Sequence, residues 1–364
     1  TNISQKQIDE QQAREHAKAQ TFIDQYGGEI IVGYGNLVSS DLIDAAYIPL
    51  PPALHHKWAK KALEAGKHVF LEKPSTTCLP DTEDLIKLAS EKGLALHENY
   101  MFIYHSQLEE INNIVESGEI GDVRLYRITF GFPLRQLNDF RYNKALGGGA
   151  LLDAGGYCMK YANWLLGGDA HVVTAQANNI EGFEVDMFGS ATLANDKGQI
   201  AQIAFGMDND YRCDIEIWGA KGTITSGRIL TAPAGFAPSY TIKKNQDIET
   251  RPLAADDAFL KSILRFADCV KCAEVRYEEY ELWDKELNAL WGQIKEKSLR
   301  NMLLTTKILD ETSANAKASP RLRMNWNLHE SFKDSVQRMF NALEPGTEVP
   351  IARHPDSAET LIIL

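Results

Sequence analysis

The sequence predicts an α/β protein in three parts: a doubly wound domain on a parallel sheet, an α+β domain with a large antiparallel sheet, and a short β-rich segment. Three observations carry this. Short apolar runs alternate with helical stretches of about 12 residues as far as His97, the pattern of βαβ units. Between Val123 and Thr225 longer β-like runs are joined by short polar turns such as Asn195-Asp196-Lys197-Gly198, which predicts antiparallel pairing. After Pro320 the helical pattern gives way to new β-like runs.

Taken in order, Gln5 to Gln25 is helical, Gly27-Gly28 stops it, and Glu29 to Val32 reads as a short strand. Gly33-Tyr34-Gly35 reads as a loop. Asp44 to Ile48 is a buried strand closed by Pro49-Leu50-Pro51-Pro52, and Leu54 to Ala65 is an amphipathic helix stopped by Gly66. His68 to Leu71 is the next strand, Asp81 to Lys92 a helix ended by Gly93, and Leu94 to His97 a strand. A helix at Ser106 to Glu116 precedes the β-like Val123 to Phe132, and Gly147-Gly148-Gly149 opens a helix from Ala150 to Leu166. Strands follow at Val172 to Asn178, Glu184 to Leu193, Gln199 to Met207, Cys213 to Trp218 and Gly222 to Thr225, then helices from Asp256 to Lys297. Leu303 to Ala318 is helical, and Val336 to Leu343 and Glu359 to Leu364 read as strands. The sequence stops in the apolar run Leu361 to Leu364, which predicts an unfinished third sheet. The expected domains are 1–121, 122–298 and 302–364.

With 364 residues, 44% apolar and 24% charged, the chain has the composition of a globular protein. A formal charge of -12 argues against a nucleic-acid or anionic-membrane partner. There is neither a signal-peptide pattern nor an 18-residue apolar stretch, so the expected location is cytoplasmic. Five scattered cysteines fit a reducing compartment. Cys269-Val-Lys-Cys272 has ligand-like spacing, but no second Cys or His pair follows, so the expectation is two helical thiols and no metal.

Glu72-Lys73-Pro74 follows the strand His68 to Leu71, putting a lysine and a carboxylate where open α/β sheets bind ligands. Desolvation or a second cation lowers a lysine pKa, which suits proton transfer; alone, the tripeptide reads equally as a surface turn. Downstream, Asp153 and Tyr157 stand four apart, on one helical face, after the glycine run. A phenol near an ammonium has its pKa drawn down and can give a proton to a developing alkoxide; the alternative is a buried tyrosine with a satisfied hydroxyl.

Together these residues resemble the Gfo/Idh/MocA family of nicotinamide-dependent oxidoreductases. The matching segments are Tyr47 to Pro52 with His55, Ala65-Gly66-Lys67-His68-Val69 leading into Glu72-Lys73-Pro74, Glu98-Asn99-Tyr100-Met101, and Asp153 to Tyr157. The last motif position, often histidine in the family, is Tyr157, which resembles the nucleotide-sugar 3-ketoreductases of deoxysugar pathways and also glucose-fructose oxidoreductase and dihydrodiol dehydrogenases. Asn209 to Gly219, leading to Leu230 to Ala234, looks most like the nucleotide-sugar branch. The resemblance implies a Rossmann-type first domain, NAD or NADP as cofactor, a sugar or nucleotide-sugar substrate, and a homo-oligomer through the antiparallel sheet. It implies Lys73 beside the nicotinamide, Tyr157 as general acid and Asp153 holding substrate or orienting Tyr157. Pro51, His55, Glu72, Pro74 and Asn99 would line the cofactor cleft, with Arg141 and Tyr142 as substrate contacts.

Two departures qualify that expectation. The family's opening strand and G-x-G-x-x-G turn, which receives the pyrophosphate, has no match here, since Gly33-Tyr34-Gly35 lacks the third glycine and comes too late in the βα order. The expectation is a Rossmann-type domain truncated at its start, with NAD(P) binding weakened; a sugar-binding scaffold that has lost its cofactor is the alternative. The tail, from Ile308 through Ala318-Ser319-Pro320-Arg321 to Glu344-Pro345-Gly346, resembles the start of WbuC-type cupins from O-antigen clusters. His354 and Glu359 match two cupin metal ligands, while Ala352 stands at the first histidine position, which weakens a metal site. A fusion of an oxidoreductase lacking its start to a cupin lacking its end would account for both departures.

Overall fold

A computed structural model describes residues 5–287 and 291–300 and, beyond them, 314, 317–318, 323–327 and 339–343. Two compact units divide it, Thr1–Ile294 and Lys295–Leu364. In the first unit, helix α1 (Gln5–Tyr26) and the short α2 (Tyr34–Val38) precede a parallel sheet of β1 (Ala45–Ile48), β2 (His68–Leu71) and β3 (Leu96–Glu98), in that order. Helices α3 (His55–Glu64) and α4 (Leu79–Lys92) make the two crossovers, as the alternating pattern predicts. Helix α4 ends at Gly93, whose φ of 63° is the left-handed cap a glycine supplies.

Two expectations fail here. Glu29 to Val32 forms no strand: a four-residue run needs a ladder partner, and Val32 is instead 77% exposed. Gly33-Tyr34-Gly35 opens α2 instead of a loop, with Leu37 N–H donating to Gly33 O at 3.0 Å and the Tyr34 ring packed edge-on against Trp58 of α3. A tertiary contact here outweighs the low helix propensity of glycine.

After α5 (Ser106–Glu116) an eight-stranded sheet follows: β4 (Val123–Gly131), β5 (His171–Asn179), β6 (Asp186–Ala194), β7 (Ile200–Gly206), β8 (Arg212–Gly219), β9 (Thr223–Gly227), β10 (Ser239–Lys244) and β11 (Asp247–Pro252). Its spatial order is β11-β10-β9-β8-β4-β7-β6-β5. The sheet is mixed where a purely antiparallel one was expected, because β4 lies between β8 and β7 and pairs with β7 in parallel. Helix α6 (Gly156–Leu166) lies within the long connection that leaves β4, so the next strands, β5 and β6, add outside β7. The predicted helix from Ala150 begins as a π-type turn over Leu151–Gly155 before α6. The sequence reading missed the edge hairpin β10–β11, in which only Tyr240 and Ile242 are buried.

Helices α7 (Ala258–Lys271), α8 (Ala273–Leu287) and α9 (Trp291–Arg300) follow. Two apolar cores result. One is built on β1–β3, α3 and α4 and takes in Tyr280 and Trp283 of α8. The other covers one face of the large sheet with α6 and takes in Tyr100, Phe102, Leu108, Ile111 and Ile120. The change from one core to the other falls between Leu96 and Tyr100, and α8 returns to the first core. In the second unit β12 (Arg323–Asn327) pairs antiparallel with β13 (Met339–Leu343). Most of the predicted helix at 303–318, and the predicted strand at 359–364, lie outside the described residues.

Candidate active site

The site grows from the end of β2. Glu72 N–H donates to Ile48 O of β1 at 3.2 Å and Asn99 N–H to Leu71 O at 2.9 Å, so strand pairing fixes the backbone entering Glu72-Lys73-Pro74. The Lys73–Pro74 peptide is cis. Lys73 Nζ donates to Asp153 Oδ1 at 2.6 Å, and Arg141 Nε donates to Asp153 Oδ2 at 2.6 Å. Arg141 also pairs with Asp139 at 3.2 Å. The Lys73 and Asp153 side chains are 12% and 14% exposed, which makes this a largely desolvated clamp.

That clamp settles the charges. Burial works against the Lys73 ammonium, but Asp153 outweighs it and holds its pKa above the ordinary value, the reverse of the expected fall. Burial likewise opposes ionisation of Asp153, yet Lys73 and Arg141 hold its carboxyl low. Tyr157 is raised, not lowered: burial dominates, with Lys73 opposing it. The reason is geometric, because Lys73 Nζ stands 4.6 Å from the centre of the Tyr157 ring and is already neutralised by Asp153. Tyr100, Phe102 and Phe130 hold that ring at centroid distances of 5.2, 5.7 and 5.2 Å.

In front of the clamp opens a cleft of about 750 Å³. Of the predicted residues, Pro51, Glu72, Lys73, Pro74, Arg141 and Asp153 line it, joined by Phe140 and by Gly147 and Gly148. The glycines are needed for close approach: a Cβ on Gly147 would lie 2.8 Å from Thr77 Cγ2, and one on Gly148 would meet the Arg141 carbonyl oxygen. Gly147 also has φ +80°.

The remaining predicted residues stand behind the walls. His55 is fully buried, with Nδ1 2.8 Å from Pro74 O and Nε2 2.6 Å from Leu50 O, so it ties the two proline-bearing walls together; burial lowers its pKa. Asn99 is buried and donates to Glu72 Oε1 at 2.7 Å, an oxygen that also accepts from Tyr47 Oη at 2.8 Å. Burial, reinforced by Glu72, raises the Tyr47 phenol. Tyr142 is buried against Phe183 and its hydroxyl accepts from Arg135 N–H at 2.8 Å. Sequence reasoning missed Asp139 and Phe140, both beside Arg141; its ring stacks on the guanidinium at 4.7 Å. It also missed Asp186, whose Oδ2 accepts from Leu151 N–H at 2.6 Å and anchors the turn carrying Asp153.

Cys272 lies at the end of α7 and Cys269 within it, and Cys269 Sγ clusters with donor atoms of His97 and Glu279 within 4.8 Å. Burial pushes the Cys269 thiol up to about 12, and Glu279 is already paired with His97 and Arg265. Glu279 is thus held by charge contacts to His97 and Arg265, while the Cys269 thiol points to Val275 O. His354 and Glu359 lie outside the described residues.

Comparison with known proteins agrees with this geometry. Residues 3–100 match the oxidoreductase family with an NAD-binding Rossmann fold, and residues 108–225 match the GFO/IDH/MocA C-terminal domain. Residues 304–364 match a domain of unknown function, DUF6016. The dTDP-3,4-didehydro-2,6-dideoxy-alpha-D-glucose 3-reductase of Actinomadura kijaniata is 38% identical over 72% of this chain and 79% of that protein. The reductase of the same name from Streptomyces violaceoruber is 39% identical over 72% of this chain and 77% of its own length. The crystal structure of KijD10, a 3-ketoreductase from A. kijaniata in complex with NADP and TDP-benzene, superposes with a TM-score of 0.72 at 38% identity, over 74% of this chain and 83% of that one. With both halves matched and a Lys73–Asp153–Arg141 clamp at the strand ends, the chain belongs to the Gfo/Idh/MocA family of oxidoreductases.

Proposed function

We propose that this chain is an NAD(P)H-dependent reductase of a keto group on a nucleotide-linked deoxyhexose. The observation that carries the reading is the buried clamp in which Asp153, lining the cleft with Lys73 and Arg141, holds Lys73 over the Tyr157 ring. Pro51, Glu72, Lys73 and Pro74 fit the nicotinamide end of the cofactor, since they form a partly apolar slot beyond the strand ends. The bound cofactor supplies the hydride. Tyr157, its pKa raised by burial, stays protonated at neutral pH and gives its phenolic proton to the oxygen that gains charge. Lys73 faces the ring and stabilises the phenolate left behind, and Asp153 keeps Lys73 charged and in place. Arg141 and Phe140 border the substrate side of the cleft.

The decisive assay supplies NADPH and a 3-keto nucleotide sugar and follows cofactor absorbance and product mass. Turnover that Tyr157→Phe abolishes supports the reading. Binding of both ligands without turnover favours the scaffold alternative.

Three finer readings belong to the same proposal. The open face of the large sheet, with Trp218 53% and Phe188 41% exposed, is the surface for self-association, to be read by light scattering. Five free cysteines fit a cytoplasmic enzyme, and among the described residues no helix is long and apolar enough to cross a membrane. The cupin-like reading of 302–364 predicts at most weak metal uptake through His354 and Glu359, to be read by metal titration.

A further inference from the structure

Behind the clamp runs a second polar chain that the proposed chemistry does not use. Asn99 Oδ1 accepts from Ser262 Oγ of α7 at 2.9 Å, while its Nδ2 donates to Glu72 Oε1 at 2.7 Å. Ser262 Oγ lies 3.0 Å from His97 Nε2, and His97 Nδ1 lies 2.8 Å from Glu279 Oε1 of α8. Arg265 Nε donates to Glu279 Oε2 at 3.2 Å and closes the chain. His97 and Ser262 are fully buried; Glu279 and Asn99 are 4% and 7% exposed.

The polarity of this chain follows from one end. An ionised Glu72 can only accept, so Asn99 must present its NH2 there and its oxygen to Ser262. The single hydroxyl hydrogen of Ser262 is committed to Asn99, so the serine oxygen accepts and His97 Nε2 must carry a hydrogen. His97 Nδ1 then faces the Glu279 carboxylate as a buried charge contact at 2.8 Å, not as an aligned hydrogen bond. The ring is stacked on Phe70 at 5.1 Å and faces Tyr104 at 5.9 Å and Phe266 at 6.2 Å, and Arg265, the Lys160 ammonium and the Cys269 thiol also surround the pair. The bonds from Tyr47 and Asn99 both go to Glu72 Oε1, and among the described residues nothing bonds Oε2.

We propose that His97 and Glu279 are positioning residues that act through Ser262 and Asn99 to hold Glu72 as a one-way acceptor at the cleft, where its second oxygen takes an N–H or O–H of the bound cofactor. The cofactor clause rests on the reductase reading; the relay itself does not. Its consequence is that α7 and α8, which follow the large sheet, set the geometry of a residue on the parallel sheet.

The test uses the whole chain with 15N-labelled histidine and asparagine. The expected spectrum has a protonated, slowly exchanging His97 Nε2 and a shifted Asn99 side-chain NH2 pair. Glu279→Gln, which can still donate to His97 Nδ1, keeps both signals; Glu279→Leu moves the Asn99 pair toward solvent-like values. An unprotonated Nε2 in the native chain, or an Asn99 pair unchanged in folded Glu279→Leu, overturns the proposal. If Glu279→Leu does not fold, Ser262→Ala must move the Asn99 pair, and its failure to do so overturns the proposal equally. NADPH fluorescence titration is the separate arm, with affinity expected to fall about fivefold in Ser262→Ala, the worth of one ordinary hydrogen bond. A relay that responds by NMR while NADPH affinity does not move removes the cofactor clause and leaves the relay standing; absence of turnover counts only against the reductase reading.

Discussion

Glu72 and Lys73 are neighbours in sequence and opposites in how they are held. Lys73 is gripped from across the cleft by the Asp153 carboxylate at 2.6 Å, whose other oxygen Arg141 holds at 2.6 Å. Glu72 is steadied from behind by neutral dipoles, Tyr47 and Asn99, and the charged Glu279 enters only three links further back. The difference teaches two kinds of control. A charge clamp fixes protonation and position at once and is costly to break, because the surviving partners stay desolvated. A neutral chain fixes direction, and each of its links is worth little alone.

The predictions test that contrast, from the largest effect down. Lys73→Ala should lower kcat/KM by about 10²- to 10³-fold in the NADPH-coupled assay, the scale of a lost charge that stabilises the phenolate left by Tyr157. A drop of only a few-fold would show that the clamp is structural. Asp153→Asn leaves Lys73 and Arg141 without their shared carboxylate and should cost about 3–5 kcal/mol in denaturant unfolding. A native-like midpoint would mean that water screens the pair. Acid should loosen both systems together. Asp153 and Glu279 are held below their ordinary values of 3.8 and 4.5, so their contribution is full above those values and is lost as pH falls through the lower folded ones. Melting temperature should therefore fall steadily below about pH 4.5, and Glu279→Gln should flatten that slope. Tyr47→Phe removes one bond to Glu72 from a side chain that is 55% exposed, and should cost less than about 1 kcal/mol and change NADPH affinity less than threefold.

What the sequence shows of this site follows the same division. Lys73, Asp153 and Tyr157 are legible because each sits in a short motif whose glycines, proline or strand context announces it. The motif also carried His55, Asn99 and Tyr142 into the expected lining, but a motif marks proximity and not which face of a wall a side chain occupies. The structure puts these three behind it. Ser262 and Glu279 were invisible: a serine and a glutamate on helices more than 160 positions from their partners look like ordinary surface residues. In the fold, local pattern gave the three parallel strands and most of the large sheet. The parallel β4–β7 pair escaped it, because register across a long connection is not written in local alternation.

The glycine wall has a consequence for how such a site can change over generations. Where Gly147 and Gly148 face the cleft, backbone itself is the surface, and a Cβ at either position meets Thr77 or the Arg141 carbonyl. Point mutation therefore has almost no purchase on that side. Shape changes for a new sugar have to be written elsewhere, at lining side chains such as Phe140, which can be exchanged without moving the chain. One wall of the pocket is closed to the genetic code's small steps, and the other is where a lineage can explore.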